Sequence, residues 1–115
     1  LCKKYYELNK LYFGPDMVSD EEIALEWSRI PHFFYNYYVF QYATGFSAAV
    51  AIANRILEKG APAVADYKRF LSSGSSTDPI SLLKIAGVDM SSPEPINEAL
   101  KLFGSLIDEL DALLK

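Results

Sequence analysis

The apolar residues of this chain recur with the period of α-helices, and no stretch alternates in the manner of a strand. A first amphipathic pattern covers residues 1–12 and ends at the turn signal of Gly14 and the proline after it. A second covers about residues 20–29, where Ser19 and Glu22 have the spacing of a capping box. The N-terminal part of the chain therefore predicts two helices joined by a short turn.

The stretch of residues 31–59 is the one around which the predicted fold is organised. No charged side chain lies in residues 30–54, and eight aromatic residues lie in residues 33–46. Pro31 suits the first turn of a helix and Gly60 is the next strong stop, so we predict one helix of roughly 40 Å. Because this helix is apolar on nearly every side, we expect it to be buried by its neighbours.

Three further helices are predicted after Gly60. One begins at Pro62, a short one covers about residues 79–86 behind the cap residue Asp78, and the last begins near Glu94. The last helix carries an apolar stripe, formed by Ile96, Leu100, Phe103, Ile107, Leu110 and Leu114. The prediction is an all-α fold, a single helical subdomain over residues 1–115 with about six helices packed around the helix of residues 31–59.

Composition and charge exclude several classes of function. The chain has 115 residues, a net charge of −4 and an isoelectric point near 4.9, which argues against a nucleic-acid partner. The polar groups spread along residues 33–53 favour a buried helix over a membrane span. A single cysteine, Cys2, excludes an internal disulfide and fits a cytoplasmic protein, as does the absence of a signal-peptide pattern.

Polar atoms within the long helix are its informative part. At about 100° per residue, Tyr35 and Tyr42 fall on the face of His32, with Tyr38 at its margin, whereas Tyr37 points elsewhere and is expected in the core. A buried tyrosine hydroxyl must find a hydrogen-bond partner. The residues alone leave two interpretations open: a cavity lined with donors, or aromatic packing in which the hydroxyls reach backbone carbonyls.

The segment EWSRIPHFFYNYYVFQYATG resembles the one downstream of the metal site in oligoendopeptidase F, a zinc metallopeptidase similar to thimet oligopeptidase. The segments YFGPDMVSDEEI and FLSSGSSTDPISLLKIAGVDMSSPEPI resemble the flanking segments of that family in the same order. The resemblance covers nearly the whole chain and implies a metalloendopeptidase that hydrolyses short peptides in a deep channel. The family more often has tyrosine at Phe34 and Phe40, so those positions receive no polar role.

The resemblance also implies what this chain lacks. It has no HExxH motif and one histidine, so we expect the zinc of the full-length enzyme to be held upstream of residue 1, with no ligand in this chain. The chain is then the C-terminal segment of a larger catalytic domain, and its main partner is the upstream part of the same polypeptide. Alone, it is expected to be inactive and to self-associate through uncovered apolar surface.

The resemblance points to a small set of site residues. His32, Tyr38 and Tyr42 are the predicted catalytic residues, as donors to the oxyanion of peptide hydrolysis, and a helix N-terminus is expected to keep the imidazole of His32 neutral. Tyr35 and Gly74 are the predicted substrate-binding residues, although the loop of Gly74 has the alternative of simply joining two helices. The alternative for the whole chain is a non-catalytic helical module that binds a small ligand or a partner protein.

Overall fold

The computed structural model describes residues 1–115, and every regular element in it is a helix. The α-helices are α1 (Cys2–Phe13), α2 (Phe40–Lys59), α3 (Ala61–Ser72), α4 (Pro79–Ile85) and α5 (Glu94–Leu114), and two 3₁₀ helices cover Glu21–Arg29 and Pro31–Phe34. The all-α prediction is confirmed. None of these helices combines the length and hydrophobicity that crossing a membrane requires.

The predicted long helix is interrupted in its aromatic part. α2 begins at Phe40 rather than at Pro31, and between the 3₁₀ helix Pro31–Phe34 and α2 the chain makes a turn in which Tyr37 has a φ of 54°. Residues 33–39 are Phe, Tyr, Asn and Val, all weak helix formers. The prediction of one helix over residues 31–59 was therefore wrong, because a missing stop signal does not make a helix where no residue favours one.

Burial of α2 is confined to its middle, residues 47–52. Its buried residues are Ser47, Ala48, Val50, Ala51 and Ile52. The expectation that the aromatic half is buried as well was wrong, since the Tyr42 side chain is 58% exposed and the Phe46 side chain 67%. In α2, small side chains are therefore buried, whereas the aromatic side chains are exposed.

Several local helix boundaries agree with the sequence. Gly14 and Gly60 follow α1 and α2 with positive φ angles, and their N–H groups donate to the last turn of each helix. The Asp78 carboxylate accepts the backbone N–H of Ser81 at 2.9 Å and so caps α4. The capping box at Ser19 was wrong: Asp20 occupies the N-cap position of the 3₁₀ helix, and its side chain accepts no cap hydrogen bond.

The chain divides into two compact units, Leu1–Phe40 and Gln41–Lys115. In the first unit α1 packs against the 3₁₀ helix Glu21–Arg29. The Trp27 indole N–H donates to the Sγ atom of Cys2 at 3.3 Å, and the Tyr6 hydroxyl donates to the carbonyl oxygen of Ser19 at 3.1 Å. These two bonds tie α1 to the segment that leads into Pro31.

The core of the second unit is built mainly from small side chains. Its buried cluster joins Ala48, Ala51 and Ile52 of α2 to Ala86 and Val88, which follow α4. Partly buried larger side chains surround this cluster: Ile56, Tyr67, Phe70, Leu83 and Met90. α5 contributes one buried residue, Pro95, and its predicted apolar stripe is exposed.

An ion pair fixes α2 to α3 within the second unit. The Arg55 guanidinium donates to Asp66 at 2.7 Å, and Arg69 donates to the other oxygen of Asp66 at 2.5 Å. A Cβ atom at Gly87 would lie 2.4 Å from the Nε atom of Arg55, so the missing side chain of Gly87 makes room for the guanidinium. Gly87 also has a φ of 80°, which favours glycine.

Substitution of Gly87 is expected to lower the free energy of unfolding by more than the strain of its backbone conformation alone. Gly87→Ala and the control Gly60→Ala both place alanine at a positive φ, a strain of about 1–2 kcal/mol. Nothing lies within 4 Å of a Cβ at Gly60, whereas at Gly87 the added atom displaces Arg55 from Asp66. Urea unfolding of the two variants measures the difference, and equal losses of unfolding free energy would contradict this role of Gly87.

The Asp66 pairing predicts a pH dependence of stability. The hydrogen bond from Arg55, and then that from Arg69, lowers the pKa of Asp66 below its ordinary value of 3.8. A lowered folded-state pKa gives stabilisation that is present above the unfolded pKa and is lost as pH falls through the folded one. Asp66→Asn should therefore lower Tm at pH 7, and the gap to wild type should narrow below about pH 3.8. Asp108→Asn, which removes a charge outside this pair, is the control; a gap that stays constant in acid would refute the assignment.

Candidate functional site

The segment that follows Pro31 places three of the predicted site residues together. Ile30 is extended, with φ −93° and ψ 102°, as expected before a proline. The backbone N–H of Tyr35 donates to the carbonyl oxygen of His32 at 3.4 Å, and that of Tyr38 donates to the carbonyl oxygen of Tyr35 at 3.3 Å. Two successive tight turns therefore follow each other, the first closed on His32 and the second on Tyr35.

The rings of these residues are in contact. The imidazole of His32 stacks on the ring of Tyr38 with centroids 5.6 Å apart and planes at 24°. The ring of Tyr35 meets Tyr38 edge-on at 5.7 Å and 81°. Both are favourable aromatic geometries. We call this set of His32, Tyr35 and Tyr38 the ring cluster.

The ring cluster lies near the surface of the first unit. Tyr35 is 58% exposed and Tyr38 36%, while His32 is half-buried. A phenol carries an O–H donor and an imidazole carries at least one N–H donor. The cluster therefore brings together hydrogen-bond donors, the kind of group that recognises a carbonyl oxygen or an oxyanion.

The geometry that brings these residues together differs from the predicted one. They lie on a 3₁₀ helix and a turn, so the helical face that was to hold His32, Tyr35 and Tyr42 does not exist as such. A four-residue 3₁₀ helix supplies little of the macrodipole that a long α-helix would have at His32. Tyr37, predicted to be a core residue, is instead 87% exposed, and that prediction was wrong.

The other two predicted site residues belong to the second unit. Tyr42 lies in the first turn of α2. Gly74 lies in the loop between α3 and α4 with a φ of 53°, and it lines a shallow apolar cleft of about 360 Å³ together with Phe70 and Pro79. A glycine in this conformation exposes its backbone, which is what contact with a peptide main chain needs.

Sequence reasoning missed the support behind the ring cluster. Trp27 packs on Phe34 with ring centroids 6.2 Å apart, and its indole is fixed by Cys2. Phe33 and Phe34, next to His32 in the chain, line an apolar groove of about 700 Å³. The only tryptophan of the chain could have indicated this support, because a half-buried indole N–H requires a hydrogen-bond partner.

The residues of this chain do not form a zinc site. No three His, Cys, Asp or Glu side chains lie close enough together to hold a metal ion. The one cysteine accepts the Trp27 N–H, and the one histidine stacks on Tyr38. A structural or catalytic zinc site needs at least three protein ligands.

Comparison with known proteins gives a consistent result. The sequence profile of peptidase family M3 matches residues 1–102. Oligopeptidase PepF of Bacillus subtilis is 61% identical over 114 residues, which are 99% of this chain and 17% of that protein. The chromosomal oligoendopeptidase F of Lactococcus lactis subsp. cremoris is 43% identical over 111 residues, which are 96% of this chain and 18% of that protein.

A solved structure shows the same fold. In the crystal structure of oligoendopeptidase-F from Enterococcus faecium, the similar region has a TM-score of 0.87 and 46% sequence identity and covers all of this chain and 22% of that one. The chain thus spans about a fifth of the length of the relatives it matches. With nine-tenths of its residues matched by the profile and with relatives of this identity, the chain belongs to peptidase family M3.

Proposed function

We propose that this chain is the C-terminal segment of a zinc-dependent oligoendopeptidase, and that its ring cluster binds the substrate and stabilises the oxyanion. The observation that carries the proposal is the contact between His32, Tyr35 and Tyr38 at an accessible surface. The names of the relatives, oligopeptidase and oligoendopeptidase, support the reaction class.

The chemistry assigned to the cluster is electrostatic. When water adds to a peptide carbonyl, negative charge develops on the carbonyl oxygen, and donors aimed at that oxygen stabilise the transition state more than the ground state. His32, Tyr38 and Tyr42 are the proposed donors. Tyr35, whose ring lies against Tyr38 and whose side chain is 58% exposed, is the proposed contact for the peptide.

Substrate binding extends to the loop of Gly74 in this proposal. The substrate is a short peptide, whose main chain offers alternating N–H and C=O groups. The exposed backbone at Gly74 is suited to pair with them, and the apolar cleft beside it is suited to an apolar side chain.

The metal belongs to the rest of the polypeptide in this proposal. Because the residues here form no ligand set, zinc is expected to be held by the part of the enzyme that this chain does not include. The chain acts as one subdomain of the larger catalytic domain, in the cytoplasm, and its exposed apolar residues contact the upstream part of the same polypeptide. Self-association of the chain alone follows from the same exposed surface.

The chain alone is expected to be inactive. It should retain no stoichiometric zinc after dialysis and cleave no oligopeptide, because it has one histidine and no cluster of ligands. Metal analysis and a peptide-cleavage assay measure both properties, with a full-length relative treated in parallel. Tight zinc binding accompanied by peptidase activity would show that the proposed division of the site is wrong.

Removing the proposed donors from the full-length enzyme should reduce turnover. His32→Ala is expected to lower kcat by about 10²–10³-fold with a smaller change in KM, since an oxyanion donor acts mainly in the transition state. Among Tyr35→Phe, Tyr38→Phe and Tyr42→Phe, at least one should lower kcat while leaving Tm nearly unchanged.

Tyr37→Phe is the matched control for these variants, because its side chain is 87% exposed and outside the ring cluster. It should change neither kcat nor Tm. If all the Phe variants kept full kcat and His32→Ala lowered only Tm, the cluster would be a packing element, and a non-catalytic binding module would become the better assignment.

A further inference from the structure

One residue beside the ring cluster has a backbone conformation that its side chain disfavours. Tyr37 has a φ of 54°, and it is the one non-glycine residue of the chain with a positive φ. The left-handed region is costly for a residue with a Cβ, and such conformations persist where the surroundings impose them. The side chain of Tyr37 is 87% exposed, so its own packing does not explain the conformation.

The conformation closes the turn that forms the cluster. In residues 35–38 the carbonyl oxygen of Tyr35 accepts the backbone N–H of Tyr38 at 3.3 Å. A positive φ at the third residue of a four-residue turn is the arrangement of a type II turn, which favours glycine or asparagine at that position. Here the third residue is Tyr37, and the second, Asn36, has no positive φ.

The turn determines which rings meet. Its first and last residues are Tyr35 and Tyr38, whose rings meet edge-on at 5.7 Å, and Tyr38 in turn stacks on His32 at 5.6 Å. With Tyr37 in the right-handed or extended region, the chain would leave the turn in another direction and Tyr38 would not return towards His32. The ring cluster therefore depends on a backbone angle at a residue that takes no part in it.

We propose that Tyr37 is a positioning residue, whose left-handed backbone conformation, and not its hydroxyl or ring, holds Tyr35 and Tyr38 against His32 for the peptide substrate. The proposal rests on the proposed function for its catalytic consequence, while its structural consequence stands on the turn itself. It assigns a role to a position that is exposed and lies outside the set of donors.

The proposal predicts a particular order among substitutions at this position. Glycine and asparagine accept the left-handed region, so Tyr37→Gly and Tyr37→Asn should keep the turn. A β-branched side chain is the least compatible with a positive φ, so Tyr37→Val should open it. Tyr37→Phe keeps the ring and loses the hydroxyl, and it separates a side-chain role from a backbone role.

The single histidine makes the turn directly measurable by NMR in the 115-residue chain. Stacking on Tyr38 shifts the ring protons of His32 through the ring current, and contact gives nuclear Overhauser effects between the two rings. Wild type, Tyr37→Phe, Tyr37→Gly and Tyr37→Asn should share these signals, whereas Tyr37→Val should lose them with its helical circular dichroism unchanged. Tyr37→Thr, smaller but also β-branched, serves if the valine variant fails to fold.

The same variants in the full-length enzyme test the catalytic consequence. Tyr37→Val is expected to lower kcat by about 10–100-fold, which is the effect of misplacing a reacting group by about 1 Å. Tyr37→Gly and Tyr37→Asn are expected to keep the kcat of the wild type. Loss of the NMR signals in Tyr37→Gly, or their retention in both β-branched variants, would overturn the positioning role. NMR signals that follow the prediction while every variant keeps wild-type kcat would instead overturn the proposed function.

Discussion

The second unit depends on the close approach of the alanine face of α2 to the segment after α4. Ala48, Ala51 and Ala86 are each at most 6% exposed, and none of them has a side chain that would hold the two backbones apart. Larger side chains there would force the elements apart, since packed interiors tolerate little added volume. The same closeness brings Arg55 against Gly87, so the ion pair to Asp66 depends on the small-residue contact as well.

The candidate site follows a different principle, because it is built from local backbone geometry. Two tight turns in residues 31–38 bring aromatic side chains onto His32, and the bonds of Trp27 and Tyr6 anchor the segment in front of them.

The chain belongs to peptidase family M3, spans about a fifth of the length of its relatives and has a largely apolar surface. Many large apolar side chains are exposed, among them Phe46 on α2 and Phe103 on α5. Exposed apolar area of this extent is typical of a surface that contacts further protein. The function proposed above assigns these side chains to contacts with the rest of the polypeptide.

The sequence by itself determined the fold class, the family and most helix ends. Gly14, Gly60 and Asp78 act through their own backbone angle or through a bond to a residue within one turn, so a single local signal suffices for each. The family is identified from stretches of consecutive residues, which can be compared without a structure. The sequence also named His32, Tyr35 and Tyr38, but it placed them on a helical face that does not form.

Only the tertiary structure decided where α2 begins, which part of it is buried and how the ring cluster closes. Residues 33–39 are weak helix formers, so the sequence there does not decide between helix and turn. The contacts between the rings depend on the angle at Tyr37, which no residue preference would have predicted. Burial of the aromatic residues in 33–46 likewise depends on what packs against them, because an apolar sequence pattern does not identify the element that covers it.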